Sequence, residues 1–382
     1  DYGDDGSKLL LDANENAFGP CFQPDEILNL PNNITELSTS LPRLHRYPDP
    51  HLFELKQQFC NLRNTHFHTS QNITPENLHL GVGSDGVIDA LIRCFCIPGS
   101  DYILICPPTY GIYAVAAQLN DVGVVKVPLL SAPDFSIDVE SMLLKLSSDS
   151  SRIKIIFLCS PGNPTGSLLK KDDVKKILEC PGWNGIVVLD EAYIDFASEK
   201  SSLAEWVVEW QNFVVMQTLS KGFGLAGIRL GVAFTSSPIA ALLNNSKFPY
   251  NIGSLTVQFA MKGLGSSGLE LMKKKRNEIF SQRDRLLKEL PKIKGVGRLR
   301  GGVVSNFLLY EILDLNDKPC NSTALRVYEM LAESRGVVVR FRGMEHECLG
   351  CLRITVGTED EVTVLLRELK NVLEMVHLAQ KV

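Results

Sequence analysis

Residues 153–166 read Ile-Lys-Ile-Ile-Phe-Leu-Cys-Ser-Pro-Gly-Asn-Pro-Thr-Gly: seven mostly apolar residues, then a turn rich in proline, glycine and asparagine. An apolar run this short, without polar alternation, predicts a strand buried on both faces, and the turn ends it at its carboxyl side. Working outward, the same texture recurs at 102–106, 122–127, 186–190, 213–218 and 230–234. Helical patterns lie between, for example at 109–119, 139–146 and 171–178. This alternation predicts an α/β fold around a large, mixed but mostly parallel sheet.

From about Gly295 the pattern shifts. Strand-like runs at 303–310, 337–341 and 351–356 alternate with a helix at 323–334 and a final helix. The final helix spaces Val362, Leu365, Leu366, Leu369, Val372, Leu373 and Val376 along one face. A second, smaller α/β domain is expected here, joined to the first by a long helix near 268–290. The division is 1–50 for an N-terminal arm and small-domain segment, 51–285 for the large domain and 286–382 for the small one. Residues 23–49, rich in Pro, Asn and Ser, read as a loop-rich arm with one short helix.

Composition narrows the function. The chain has 382 residues, 45% of them hydrophobic, and a net charge of −5, which argues against nucleic acid or acidic membranes as partners. No run of 18 apolar residues marks a transmembrane helix. The chain begins Asp1-Tyr2-Gly3, without methionine or a signal-peptide pattern, so a targeting segment ahead of it stays open. Ten cysteines, many in apolar runs such as Cys94, Cys96, Cys106 and Cys159, read as small buried hydrophobes in a reducing, cytoplasmic setting. Cys348, Cys351 and His346 offer three possible metal ligands where a closed structural zinc site needs four, so no metal is assigned.

Gly81-Val82-Gly83-Ser84-Asp85-Gly86 matches GxGxxG, but the next strand ends in Cys106-Pro107-Pro108, with no carboxylate to hold a ribose. What survives is an anion site: a glycine turn into a helix N-terminus, at Gly83, Ser84 and Asp85. Three strand ends add to it. Asn163 follows the first quoted strand, Asp190-Glu191-Ala192-Tyr193 ends the next, and Thr218-Leu219-Ser220-Lys221 ends the one after, with Arg229 eight residues on.

This set matches the needs of pyridoxal phosphate. A buried carboxylate, Asp190, keeps the pyridine nitrogen protonated. Asn163 and Tyr193 donate to the ring oxygen, and Tyr110 stacks on the ring. Ser220, Thr218, Arg229 and the Gly83–Asp85 turn take the phosphate. Lys221 holds the cofactor as a Schiff base and, once displaced, moves the proton as general acid and base.

At this point the chain resembles the aspartate-aminotransferase-like superfamily (fold type I), and within it the histidinol-phosphate aminotransferases, particularly fungal ones. The resemblance rests on SPGNPTG, VVLDEAYIDF and TLSKGFGLAGIRLG, with LDANEN at 11–16, HRYPDP at 45–50, VVVRFR at 337–342 and CLRITVGT at 351–358. It implies transamination between histidinol phosphate and 2-oxoglutarate, or imidazole-acetol phosphate and glutamate, in histidine biosynthesis. It also implies a homodimer in which Tyr47 reaches the partner's cofactor phosphate, Arg353 holds the substrate anion, Arg340 assists and Asn16 lies nearby. One departure stands out: Gly86 replaces the family's usual glutamate, which should loosen the helix start. The competing readings are an aromatic aminotransferase or threonine-phosphate decarboxylase of the same fold, and a non-catalytic ligand sensor, which would need a DNA-binding appendage.

Overall fold

The computed structural model describes residues 8–22 and 45–380; most of the arm expected at 23–49 lies outside them. Thirteen strands are numbered in chain order. The large lobe holds a seven-stranded sheet of β2 (Leu78–Val82), β3 (Tyr102–Ile105), β4 (Gly123–Lys126), β5 (Ile153–Cys159), β6 (Ile186–Asp190), β7 (Phe213–Thr218) and β8 (Leu230–Thr235). Their spatial order is β2-β8-β7-β6-β5-β3-β4, and only β8 runs against its neighbours. The six expected strands all form, and β2 joins them at an edge.

The apolar runs are continuous because both faces of the sheet are covered. Along β7, Phe213 and Val215 enter one core while Val214 and Met216 enter the other. Helices Gly83–Phe95, Ile112–Leu119 and Ser237–Ser246 cover the second face. Helices Phe53–Arg63, Val139–Ser148, Lys171–Leu178 and Ser254–Leu264 cover the first.

The smaller lobe is stitched from both ends of the chain. β1 (Leu9–Leu10) pairs in parallel with β11 (Val337–Val338). A four-stranded antiparallel sheet runs β12 (Arg340–Phe341), β13 (Cys351–Thr355), β10 (Phe307–Ile312), β9 (Val296–Leu299). The run expected at 337–341 is thus two strands in two sheets, broken at Val339. The strand expected at 303–310 starts only at Phe307, because 301–305 is committed elsewhere: Gly302 N donates to Thr165 O at 2.9 Å and Val304 N to Gly166 O at 3.0 Å. That contact joins the small lobe to the turn after β5.

Helix Ser266–Glu289 spans the lobes, with Met272 in one core and Ile279 and Leu286 in the other. The last helix, Glu359–Ala379, buries the expected face and opens with a reciprocal capping box between Thr358 and Glu361.

The glycine turn has a steric cause. Gly83 sits at φ +68°, and a Cβ there would lie 2.5 Å from Arg229 Nη2. A Cβ on Gly231 would lie 2.5 Å from the Gly83 carbonyl. Gly86 is different: inside the first helical turn, its nearest neighbour would be Val82 Cβ at 3.6 Å, an ordinary contact. Gly86→Ala should therefore stabilise the protein by about 0.5–1 kcal/mol in urea unfolding. Gly231→Ala should destabilise it by about 1–3 kcal/mol. Equal effects from the two would contradict this packing.

Candidate active site

A cavity of about 340 Å³ opens at the carboxyl ends of β5, β6 and β7 and is closed from above by the small lobe and by residues 12–15. Of the fifteen candidate residues named from sequence, twelve line it. Gly83 sits just behind Arg229, and Asn16 and Tyr47 lie elsewhere.

One end is built for an anion. The helix Gly83–Phe95 aims its N-terminus here, with Ser84 and Asp85 in its first turn. Arg229, at φ 52°, is held in the left-handed region that side chains rarely adopt. Its Nη2 lies 3.1 Å from Asp85 Oδ2, while Tyr110 donates to Asp85 Oδ1 at 3.1 Å. Thr218 donates its hydroxyl to Leu230 O at 2.8 Å and accepts from Ser220 N at 3.2 Å. It therefore positions Ser220, whose hydroxyl lies 2.9 Å from Thr218 Oγ1 and which lines the cavity.

At the centre, Asp190 ends β6 between Cys159 and Met216 of the flanking strands. It is buried, and accepts hydrogen bonds from Tyr113 OH at 2.6 Å and Ala192 N at 3.1 Å. Burial raises its pKa from 3.8 to about 6, against the two hydrogen bonds, which lower it. Lys221 lies half-buried in the cavity wall, its Nζ donating to Ala13 O at 2.9 Å. Burial first, then the positive charges of Arg353 and Arg229, lower it from 10.5 to about 8. Tyr193 accepts from Asn14 Nδ2 at 2.9 Å, which leaves its hydroxyl proton for the cavity. Burial pushes its pKa up to about 12, so it stays a donor.

The far end belongs to the small lobe. Arg353 donates from Nη1 to Asn163 Oδ1 at 2.7 Å and from Nη2 to Asp12 O. With its oxygen so engaged, the Asn163 amide is left as a donor. Arg340 also lines this end.

Three residues missed in the sequence reading matter here. Tyr113, stacked on Phe157 with ring centroids 4.8 Å apart, holds Asp190. Asn14, rather than Asn16, carries the polar contact to Tyr193. Asn16 is buried and donates to Gly222 O at 3.1 Å and Lys221 O at 3.4 Å, holding the lysine's backbone. Arg342 lines the cavity as well. Tyr47 is 81% exposed and stacks on Tyr250 at 4.6 Å, outside its own chain's cavity.

The description "Aminotransferase class I and II" matches residues 7–369. The chain belongs to that family. Histidinol-phosphate aminotransferase of Schizosaccharomyces pombe is 49% identical to this aminotransferase, covering 96% of this chain and 91% of the relative. The enzyme of that name from Saccharomyces cerevisiae is 44% identical, covering 96% and 91%. A solved histidinol-phosphate aminotransferase from Sinorhizobium meliloti, in complex with pyridoxal-5'-phosphate, superposes with a TM-score of 0.80 at 21% identity, over 97% of this chain and 91% of that one. The aspartate-aminotransferase-like fold is thereby established for this chain.

Asp190 makes a prediction about the protein without ligand. Its folded-state pKa is raised, so its charge costs stability above about pH 6, and the cost vanishes as pH falls through the unfolded value of 3.8. Asp190→Asn should stabilise the ligand-free protein near neutral pH by about 1–3 kcal/mol, and hardly at all in acid. Urea unfolding across that range checks it; a destabilised variant at neutral pH would contradict the uncompensated charge.

Proposed function

We propose that this aminotransferase binds pyridoxal phosphate and moves an amino group between L-histidinol phosphate and 2-oxoglutarate, in L-histidine biosynthesis. The observation that carries the reading is one cavity joining a lysine lowered to about 8, a buried carboxylate without a cationic partner and a group of arginines. The names of the relatives at 44–49% identity support the substrate.

The residues fit the cofactor. Asp190 lacks a cation among the described residues, and a protonated pyridine nitrogen supplies one. Asn163 and Tyr193 offer donors for the ring oxygen, and Tyr110 a face. Ser84, Ser220, Arg229 and the first-turn N–H groups, Asp85 included, would hold the phosphate, with Gly83 giving Arg229 room. When bound, the cofactor supplies a carbonyl for the amino group and an electron-withdrawing ring. Lys221 Nζ then takes the proton from the substrate's amino-bearing carbon and holds it for return. Arg353 binds the substrate anion with its planar fork, oriented by Asn163 and assisted by Arg340. Asn16 acts from behind, by fixing the Lys221 loop.

We assign residues 51–285 to a cofactor-binding domain, 286–382 to a small domain, and 1–50 to an N-terminal arm and small-domain segment. The ten cysteines are all unpaired, which supports a reducing compartment, and we place the protein in the cytoplasm. No helix among the described residues is long and apolar enough to cross a membrane.

The test is the absorption spectrum of purified protein. A cofactor band should disappear with glutamate and return with imidazole-acetol phosphate; no response to either would refute the reading. Lys221→Ala should bind cofactor yet fail to transaminate. The pH dependence of covalent capture should rise with a midpoint near 8, because only the neutral amine reacts, whereas an ordinary lysine would give one near 10.5.

The active unit is proposed to be a homodimer with shared sites. Tyr47, exposed and outside its own cavity, is suited to a partner's phosphate end. Tyr47→Phe should weaken cofactor affinity about tenfold or more. Mixing Lys221→Ala chains with Tyr47→Phe chains should restore activity at limiting cofactor, since one site of the mixed dimer is intact. No restoration, with subunit exchange verified, would leave Tyr47 serving its own chain.

A further inference from the structure

Three guanidiniums share one face of the small-lobe sheet. Arg340 and Arg353 are direct register partners across β12 and β13. Arg342, two residues past Arg340, returns to the same face, its N–H donating to Cys351 O at 2.9 Å. All three line the cavity. Like charges facing each other across a ladder are unfavourable, so the arrangement calls for anions. Burial first, then Arg342 and Arg340, bring Arg353 down to about 10.

At Arg353 and Arg342 the counter-charges among the described residues do not meet the demand. Arg340 Nη2 lies 3.8 Å from the Asp12 carboxylate. The acceptors of Arg353, Asn163 Oδ1 and Asp12 O, are neutral. Arg342 Nη1 donates to Glu345 Oε1 at 2.7 Å, yet Arg342 Nε and Glu345 Oε2 are both buried without partners. The pair therefore touches at one point instead of as a fork, and Glu345 anchors the guanidinium without saturating it.

The two amino donors differ where these arginines sit. In glutamate a carboxyl carbon is bonded directly to the amino-bearing carbon. In histidinol phosphate a methylene and an oxygen intervene, so the phosphorus lies two bonds farther out. It also carries about −1.5 to −2 charges at neutral pH and three acceptor oxygens, against one charge and two oxygens. Arg353 alone suits the carboxylate; the phosphate reaches beyond it and brings charge left over.

We propose that Arg342, positioned by Glu345, is a specificity-determining residue that binds the substrate phosphate and favours the phosphorylated amine over glutamate. This rests on the histidinol-phosphate reading above. Arg342→Gln should raise the KM for histidinol phosphate about tenfold or more, with kcat little changed. The KM for glutamate should stay within about twofold, and turnover of L-histidinol, which lacks the phosphate, should not move. Arg342→Lys should recover part of the loss, and Glu345→Gln should produce a smaller loss confined to the phosphorylated substrate. Retained glutamate turnover reports that the variants are folded. Equal losses on glutamate and histidinol phosphate, or no loss on either, overturn the assignment of Arg342. A wild-type protein that does not transaminate histidinol phosphate overturns the underlying reading with it.

Discussion

A carboxylate held in the middle of a sheet, without a positive neighbour among the described residues, is the constraint around which the site is arranged. Asp190 ends a strand flanked on both sides by others and is shut off from water. Left flexible, it would turn to solvent or to an arginine. It does neither because Tyr113 and the Ala192 amide fix both oxygens, and Tyr113 is itself stacked on Phe157. The rigidity of the sheet thus maintains a charge that the ligand-free protein would be more stable without.

The cavity's other residues divide between two lobes, and the seam is bridged by few but specific contacts. Asn163, in the turn after β5, accepts from Arg353 of the small lobe. The same turn takes the backbone of 301–305, where Gly301 and Gly302 press against Thr165 and Gly166 so closely that no side chain fits. Residues 12–16 run between the lobes, Asn14 reaching Tyr193 and Thr355, and Asn16 reaching the Lys221 loop. Arg353, Tyr193 and the Lys221 loop are therefore tied to one another through a few side chains.

How much of this is legible in the sequence follows from where each residue's constraint comes from. The buried strands are legible because burial on both faces leaves unbroken apolar runs, and the residues at their ends are legible because turns mark where strands stop. Lys221, Asp190 and Asn163 are of this kind. Tyr113 is not: a tyrosine on the apolar side of a helix looks like core, and only the fold shows that its hydroxyl meets Asp190. Asn14 and Asn16 are equally polar and two residues apart, and backbone direction, with Asn14 at φ 54°, decides which faces Tyr193. The split at Val339 is illegible for a related reason, since a continuous apolar run says nothing about a change of sheet.

The charges of the cavity are segregated along its length. Cations stand at both ends of the cavity, Arg229 at one and Arg353 with its neighbours at the other, while Asp190 and the lowered Lys221 occupy the middle. A lysine carrying its full charge would join the cations and would also be useless as a base. Burial first, then Arg353 and Arg229, lower it to about 8, which brings the neutral amine within reach just above neutral pH. The arginines that add to the effect of burial on Lys221 are the same groups that make the two ends of the cavity positive. An anion placed beside either group would offset that positive charge and so raise the proton affinity of the Lys221 amine. The charge at the two ends of the cavity and the protonation of Lys221 are therefore linked through one set of guanidiniums.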